Sequence, residues 1–294
     1  MKYNQMSRLN CGANIPIMGF GTYSSENVRE ETKQAVKIAL KMGYKHFDTA
    51  RIYGSEASVG EALTEAIFVD QSVEREDIFV TSKLWGSDHH HPVSALNQTL
   101  LNMGLEYVDM YLVHWPVKLK PWATYPVPNE QDFERVLDLE TTWAGMEKCL
   151  DMGLCRAIGV EMHPMWRQSK LREFCRDHNI HVSAYSPLGG PGNSWGSTAV
   201  VDDPIIQSIA LKHKATPAQV ALSWGLSKGG SVIVKSFNKY RMKENMRALD
   251  LRLDDHDLLD IERMEERKIM RGEFLVNETT SPYKTIQDLW DDEI

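Results

Sequence analysis

Four residues carry the chemistry this sequence could do: Asp48 in HFDTA, Tyr53 just beyond it, Lys83 in VTSKL and His114 in YLVHW. Each alone is unremarkable, since a single Tyr more often packs and a single Lys or Asp is more often solvated. Together they make an acid. A tyrosine with a pKa near 10 donates a proton poorly at neutral pH and needs a neighbouring cation to stabilise its anion. Lys83 is the candidate cation. At about 4 Å and an effective dielectric near 20, its charge is worth roughly 4 kcal/mol, or about three pKa units, before Asp48 offsets part of it. Tyr53 then becomes a usable general acid, His114 can orient and polarise a carbonyl, and Asp48 holds Lys83 in place and charged. The set lacks a nucleophile, and the sequence shows no Ser-His-Asp order or activated Cys. Hydride delivered by a bound cofactor fits the set best.

These residues meet only if the elements before them place them at one mouth. Short β-rich runs alternate with longer stretches of helical period, the pattern of a parallel sheet covered by helices. Strands are expected at about 18–22, 45–50, 78–84, 108–114, 155–160, 181–187 and 232–236, and helices at about 29–42, 56–68, 92–103, 138–152, 165–177, 204–213, 216–228 and 239–249. Gly43, Gly104 and Gly153 each end a helical stretch, where glycine takes a left-handed cap at little cost. A doubly wound sheet would want a dinucleotide glycine fingerprint, but the nearest run, Gly190-Pro-Gly192-Asn-Ser-Trp195-Gly196, has Trp at the third glycine position and opens no helix. A βα barrel is the better reading, with its chemistry at the C-terminal ends of the strands. The stretches 115–137, 188–203 and 266–294 read as long loops of the kind that form lids and binding surfaces.

Composition agrees. A chain of 294 residues, 42% hydrophobic and 25% charged, can bury one large core, and no repeat or linker marks a second domain, so 1–294 is read as one barrel domain. A net charge of −8 argues against nucleic acid as a partner, leaving a small carbonyl compound and a monomeric state as the expectation. No apolar run reaches membrane-spanning length, the start MKYNQMSRLN lacks the apolar core of a signal peptide, and the four cysteines show no CxxC spacing or disulfide density. Cytoplasm is the expected compartment. The consecutive His89, His90 and His91 cannot share one helix face, so they read as a solvated start to the helix opened by Pro92 rather than a metal site. Trp85, Trp115, Trp122 and Trp195 follow strands or lie in the long loops, where they could wall an apolar substrate pocket.

From about Ile15 onward the chain resembles the aldo-keto reductases, through GFGT at 19–22, GYKHFDTARIYGSE at 43–56, TSKLW at 81–85, LVHWP at 112–116, AYSPLG at 184–189 and VKSFNKYRMKEN at 234–245. The resemblance implies a TIM-type (β/α)8 barrel, NADPH as cofactor, and Asp48, Tyr53, Lys83 and His114 as a catalytic tetrad with Tyr53 the proton donor. It places His114, Trp85 and Trp115 by the substrate, Tyr185 against the nicotinamide, and Gly21, Thr22, Tyr23, Asp48, Ser186 and Leu188 along the cofactor. Lys235, Ser236, Phe237, Arg241, Glu244 and Asn245 would hold the adenosine and its 2′-phosphate. Helix N-terminal donors after strand 232–236 would add to that anion site. The tail SPYKTIQDLWDDEI and the segment WGSTAV look most like plant reductases of specialised metabolism, the group acting on codeinone, methylecgonone and chalcone-pathway polyketides.

One departure stands out. The family continues from IGV into a Ser-Asn-Phe turn, a helix and a strand ending Asn-Gln-Val-Glu; here Val160 runs directly into Glu161-Met162-His163-Pro164. About one βα unit, on the order of 25–30 residues, is absent near helix 5 and strand 6. The lost Ser-Asn pair and Gln are those that grip the nicotinamide carboxamide in the family. Three readings follow: a working reductase, a truncated variant that binds NADPH loosely and turns over little or nothing, or a non-catalytic partner-binding barrel. The shortened chain is expected to leave either a strained seven-strand closure or an open seam.

Overall fold

The expected strands form where apolar residues alternate, and two more form before them. The computed structural model describes residues 5–24, 29–115, 117–123, 128–134, 138–159, 161–162, 173, 177, 181–193, 196–265, 272–279, 281 and 283–289. An antiparallel hairpin, β1 (Met6–Arg8) and β2 (Asn14–Pro16), precedes a parallel sheet of β3 (Met18–Gly21), β4 (His46–Asp48), β5 (Phe79–Leu84), β6 (Met110–Val113), β7 (Ile158–Gly159), β8 (Glu161–Met162), β9 (Ser183–Tyr185) and β10 (Ser231–Val234). The sheet order is β7-β6-β5-β4-β3-β10-β9-β8.

Its two outermost strands are neighbours in the chain, separated only by Val160. Ile158 and Gly159 pair with Tyr111 and Leu112 of β6, whereas Glu161 and Met162 pair with Ser183 and Ala184 of β9. Neighbouring residues of the chain therefore supply both outermost strands of the curled sheet, one beside β6 and the other beside β9. This is the βα barrel with one unit missing. Where a strained seven-strand closure or an open seam was expected, the described residues on either side of Val160 form two ladders of two residues each.

Within the ring, side chains alternate by the two-residue period of a strand. On β5, Val80 and Leu84 face the helices in the main apolar cluster, and Phe79 faces inward to a second cluster with Met110, Leu112, Ala157 and the hairpin residues Leu9 and Ile15. The hairpin thus plugs the N-terminal end of the barrel, where sequence reading had seen only a polar lead. Above the plug, buried His46 contacts the Pro16 carbonyl oxygen through Nδ1 (3.2 Å) and Thr81 Oγ1 through Nε2 (2.9 Å), and burial pushes its pKa down to about 3. Gly19 faces the same space: a Cβ there would stand 2.4 Å from Ile233 Cδ1.

The covering helices follow the apolar period closely: α1 (Arg29–Met42), α2 (Glu56–Thr64), α3 (Pro92–Met103), α4 (Leu139–Asp151), α5 (Pro204–His213), α6 (Pro217–Ser227) and α7 (Lys239–Met246). Gly43, Gly104 and Gly153 have φ of 96°, 64° and 71°, the left-handed caps their positions called for. A further helix, α8 (Asp255–Glu262), was not foreseen, although Asp254 and Asp257 form a reciprocal capping box that marks its start. The helix expected at 165–177 lies outside the described residues except for Glu173 and Asp177. His89 corrects its expected solvation: it is buried against α4, with Nδ1 3.4 Å from Thr142 Oγ1, while Pro92 does open α3. Among the described residues no helix is long and apolar enough to cross a membrane.

Two-residue ladders at β7 and β8 leave few backbone hydrogen bonds to hold these edges. Inserting a full-length relative's Ser-Asn-Phe to Asn-Gln-Val segment after Val160 should restore a separate lane and raise Tm by about 2–3 °C, the effect of one to two kcal/mol in a domain of this size. An unchanged melting curve would show that the missing unit costs nothing.

Candidate functional site

Lys83 organises the mouth. Asp48 stands in register with Thr81, so Lys83 lies on the same inward face of β5, one side-chain step nearer the C-terminal end. Its Nζ donates to Asp48 Oδ1 (2.7 Å), the Thr49 carbonyl oxygen (2.9 Å) and Tyr53 Oη (3.2 Å). The Lys83 side chain is fully shielded from solvent and the Asp48 carboxylate nearly so. Burial pushes the Asp48 pKa above the ordinary aspartate value, and the Lys83 charge and hydrogen bond work against that push. Because Tyr53 Oη accepts from Lys83, its own hydrogen is directed away from the ammonium.

Tyr53 reaches this position on a single 3-10 turn, Arg51–Tyr53, closed by Gly54 in the left-handed region at φ 64°. Its ring packs edge-on against Tyr23 (5.2 Å between centroids) and His114 (5.5 Å), and Lys83 Nζ lies 4.6 Å from the ring centroid. His114 follows β6, its amide donating to the Leu84 carbonyl oxygen. Burial first, and the Lys83 charge second, hold its pKa well below the ordinary histidine value, so it is a neutral imidazole at pH 7.

A cavity of about 990 Å³ opens beside these groups. Asp48, Tyr53 and His114 line it at one end, with Tyr23, Ile52 and Trp115 close by in sequence or space; Gly21, Thr22, Tyr185, Ser186 and Leu188 continue the wall. Lys235, Ser236 and Phe237 line it from the turn after β10, and Arg241, Glu244 and Asn245 from α7. Desolvation and the neighbouring Arg241 charge lower the Lys235 pKa, and its Nζ sits 4.3 Å from the Phe237 ring centroid. Two cations crowded at one cavity wall are a receptor for an anion. The helix contribution differs from expectation. Asn238 caps α7, its Oδ1 accepting from the amides of Tyr240 (2.9 Å) and Arg241 (3.2 Å), so those two donors already have a partner.

The tryptophans separate. Trp115 lines the cavity, but Trp85 is buried behind His114 (5.5 Å between rings), packed with Val117, Leu119, Phe133, Leu275 and Leu289. It backs the imidazole rather than walling the pocket. Trp122 is 76% exposed and is not among the residues that line this cavity, and Trp195 lies outside the described residues. Residues that sequence reading missed include Gly190, Pro191, Gly192 and Asn193, which line the cavity although they fail as a dinucleotide fingerprint, together with Gly272 and Glu273 from the C-terminal segment. Ser186 holds φ 45° without being glycine, and strain of this kind is concentrated at functional sites.

A phenol backed by a buried cation, set at the C-terminal mouth of a helix-wrapped parallel barrel, is an arrangement suited to a barrel enzyme. Comparison with known proteins gives the family. A model of the Aldo/keto reductase family matches residues 17–168 and 160–266, and this chain belongs to that family of oxidoreductases. Its relatives include the 7-acetyl-epi-neemfruitin B aldo-keto reductase of Melia azedarach, 42% identical over 96% of this chain and 95% of that one. The (1S)-1,7-diacetoxy-luvungin A aldo-keto reductase of Citrus sinensis is 42% identical over 95% of each chain, and deoxymugineic acid synthase 1 of Zea mays 40% over 98% of each. The family match is split, and its halves meet at 160–168, where β7 gives way to β8. The alignment with the Melia protein runs over 309 positions but uses 96% of the 294 residues here, which leaves about 27 positions of the relative facing a gap.

A neutral His114 makes a specific claim about titration. Its imidazole NMR signals should titrate with a midpoint well below that of an ordinary histidine, because burial and the Lys83 charge both disfavour the cation, and Lys83→Met should move the titration upward by removing the nearby charge. A wild-type midpoint near the unperturbed 6.5 would overturn the assignment.

Proposed function

We propose that this chain reduces the ketone or aldehyde of a small metabolite to an alcohol, with NADPH as reductant. The observation that carries the reading is the contact between buried Lys83 Nζ and Tyr53 Oη, 3.2 Å, at the wall of a large cavity. The residues fit such a dinucleotide. The cavity is lined both by the proton donor and by the Lys235–Arg241 cation pair, which answers a phosphate that NADH lacks. Bound there, NADPH supplies a hydride to the carbonyl carbon.

The rest is the work of this chain's own groups. Tyr53 donates its proton to the carbonyl oxygen, and Lys83, already in contact, stabilises the phenolate that remains. Asp48 balances the ammonium and, with the Thr49 carbonyl oxygen, fixes where it points. The neutral imidazole of His114 orients the carbonyl without adding a second positive charge beside Lys83. Tyr23, Ile52 and Trp115 give an apolar surround that excludes water from the reacting oxygen. The names of the Melia and Citrus relatives support a carbonyl compound of plant specialised metabolism as the substrate class. The buried free thiols Cys149 and Cys155 suit a reducing compartment, and cytoplasm is the location we propose.

The gap of about 27 positions supports a second reading, a variant that binds NADPH and turns over weakly, because the family's carboxamide-gripping residues fall in the lost segment. An NADPH oxidation assay with aromatic aldehydes and cyclic ketones, paired with a fluorescence titration of NADPH, separates the two. Binding without turnover selects the second.

Tyr53→Phe should abolish reduction while leaving NADPH affinity within a few-fold, since the proton donor goes and the cofactor contacts stay. Lys83→Met should do similar damage by leaving the phenol too weak an acid. Turnover retained in Tyr53→Phe, or an unchanged pH–rate profile in Lys83→Met, would refute the Lys–Tyr pair. Arg241→Ala should weaken NADPH binding tenfold or more and leave NADH binding nearly unchanged, because a charge-assisted hydrogen bond to phosphate is worth about 1.5–3 kcal/mol. Equal losses for both cofactors would remove Arg241 from phosphate recognition.

A further inference from the structure

The Lys83–Tyr53 contact joins two separate elements, a strand and a 3-10 turn, and something must hold them at that separation. The turn is tied to β5 at its leading end: the Thr49 amide donates to the Thr81 carbonyl oxygen (2.9 Å) and Lys83 Nζ donates to the Thr49 carbonyl oxygen (2.9 Å). At its trailing end, three residues after Tyr53, stands Glu56 at the start of α2. Glu56 is buried, and its Oε1 accepts from Ser82 Oγ (3.0 Å) and Thr99 Oγ1 (2.8 Å), its Oε2 from Asn102 Nδ2 (3.0 Å). Ser82 directly precedes Lys83 and points to the opposite face of the same strand. Chain and hydrogen bonds therefore close a ring from Lys83 through Thr49, Tyr53 and Glu56 to Ser82 and back. Thr99 and Asn102 brace that ring from α3.

All three donors to Glu56 are neutral, so this carboxylate is buried without a basic hydrogen-bond partner. Burying an acid that way is a costly means of gluing helices, because a well-packed apolar group would serve stability as well or better. What a three-way acceptor supplies, and an apolar group does not, is a fixed geometry between three elements. We infer that Glu56 is a positioning residue for the proton donor, setting the Lys83–Tyr53 separation from the outer face of β5 through Ser82. The role rests on the reading of Tyr53 as the acid.

The test measures tyrosine ionisation as well as rate. In Glu56→Ala the ring opens at its trailing end, and kcat should fall by about a hundredfold, the effect of a misplaced reacting group, with KM and NADPH affinity within threefold. Tyr53 should also ionise at higher pH, read as the tyrosinate absorbance difference between each protein and its own Tyr53→Phe partner. That measurement needs no turnover, so it decides the positioning role even if the chain proves inactive. Glu56→Gln keeps an acceptor for Ser82 and Thr99 and should restore kcat to within a few-fold of wild type. If Glu56→Ala does not fold, Ser82→Ala and Thr99→Val decide. Each removes one bond to the same oxygen, but only Ser82→Ala disturbs the residue beside Lys83, so it alone should raise the Tyr53 ionisation pH. Glu56→Ala with lowered Tm but unchanged kcat and Tyr53 ionisation, or equal behaviour of Ser82→Ala and Thr99→Val, would make Glu56 a structural brace only and overturn the inference.

Discussion

The structure turns on one buried cation. An ammonium sealed from water is tolerable only when each of its three protons has an acceptor and a counter-charge stands near, and at Lys83 these are Asp48, the Thr49 carbonyl oxygen and Tyr53. That requirement dictates much of the upper barrel. Asp48 must face inward on β4, the chain must turn sharply after Thr49 so that its carbonyl points back, and a phenol must return within reach. The low-polarity surround that makes the ion pair demanding also makes it chemically effective, because fields act over longer distances where water is excluded. Burial first, and the Lys83 charge second, keep His114 neutral, its ring 5.5 Å from that of Tyr53.

How much of this was legible in the sequence follows from how local each signal is. Asp48, Lys83 and His114 announce themselves because strand ends in a parallel barrel converge, so position along the strand is already position in space. The helices were legible because Pro92, Pro204 and Pro217 open them and Gly43, Gly104 and Gly153 end the stretches before strands. The plug formed by Leu9 and Ile15 was not, since its partners Phe79, Met110 and Ala157 are distant in sequence and the hairpin itself is two runs of three residues. Trp85 was misplaced for a related reason: a strand-end position says that a side chain is near the mouth, but not whether it faces the cavity or supports what does. The capping of α7 by Asn238 shows a third limit, where a helix start offers donors to a ligand and to its own cap alike.

The absent βα unit was legible as a break in motif order, and its structural outcome was not. A ring of strands can lose a member only if the remaining edges find each other, and here the two outermost strands, β7 beside β6 and β8 beside β9, come from neighbouring residues of the chain. Interior filling adjusts with it. Small inward residues such as Gly19 and Ser183, with the hydroxyl pair Ser183–Ser231 at 2.7 Å, occupy the lanes nearest β10. The catalytic half of the ring, β3 to β6, keeps registers of three or four residues per pair. The residues proposed for the chemistry thus stand on the intact arc, and the wall proposed for the cofactor borders the altered one.

The plug beneath the barrel bears on how the molecule assembles. Leu9 and Ile15 complete their burial only when β5, β6 and the segment around Ala157 have already curved into place, so their contacts close very large loops of chain. Large loops close late, because the entropy lost grows with the intervening length and is recovered only when the receiving surface exists. The hairpin therefore acts as a stopper fitted at the end of assembly, and until it seats, the inner floor formed by Phe79, Met110 and Leu112 is apolar surface open to water and to other chains.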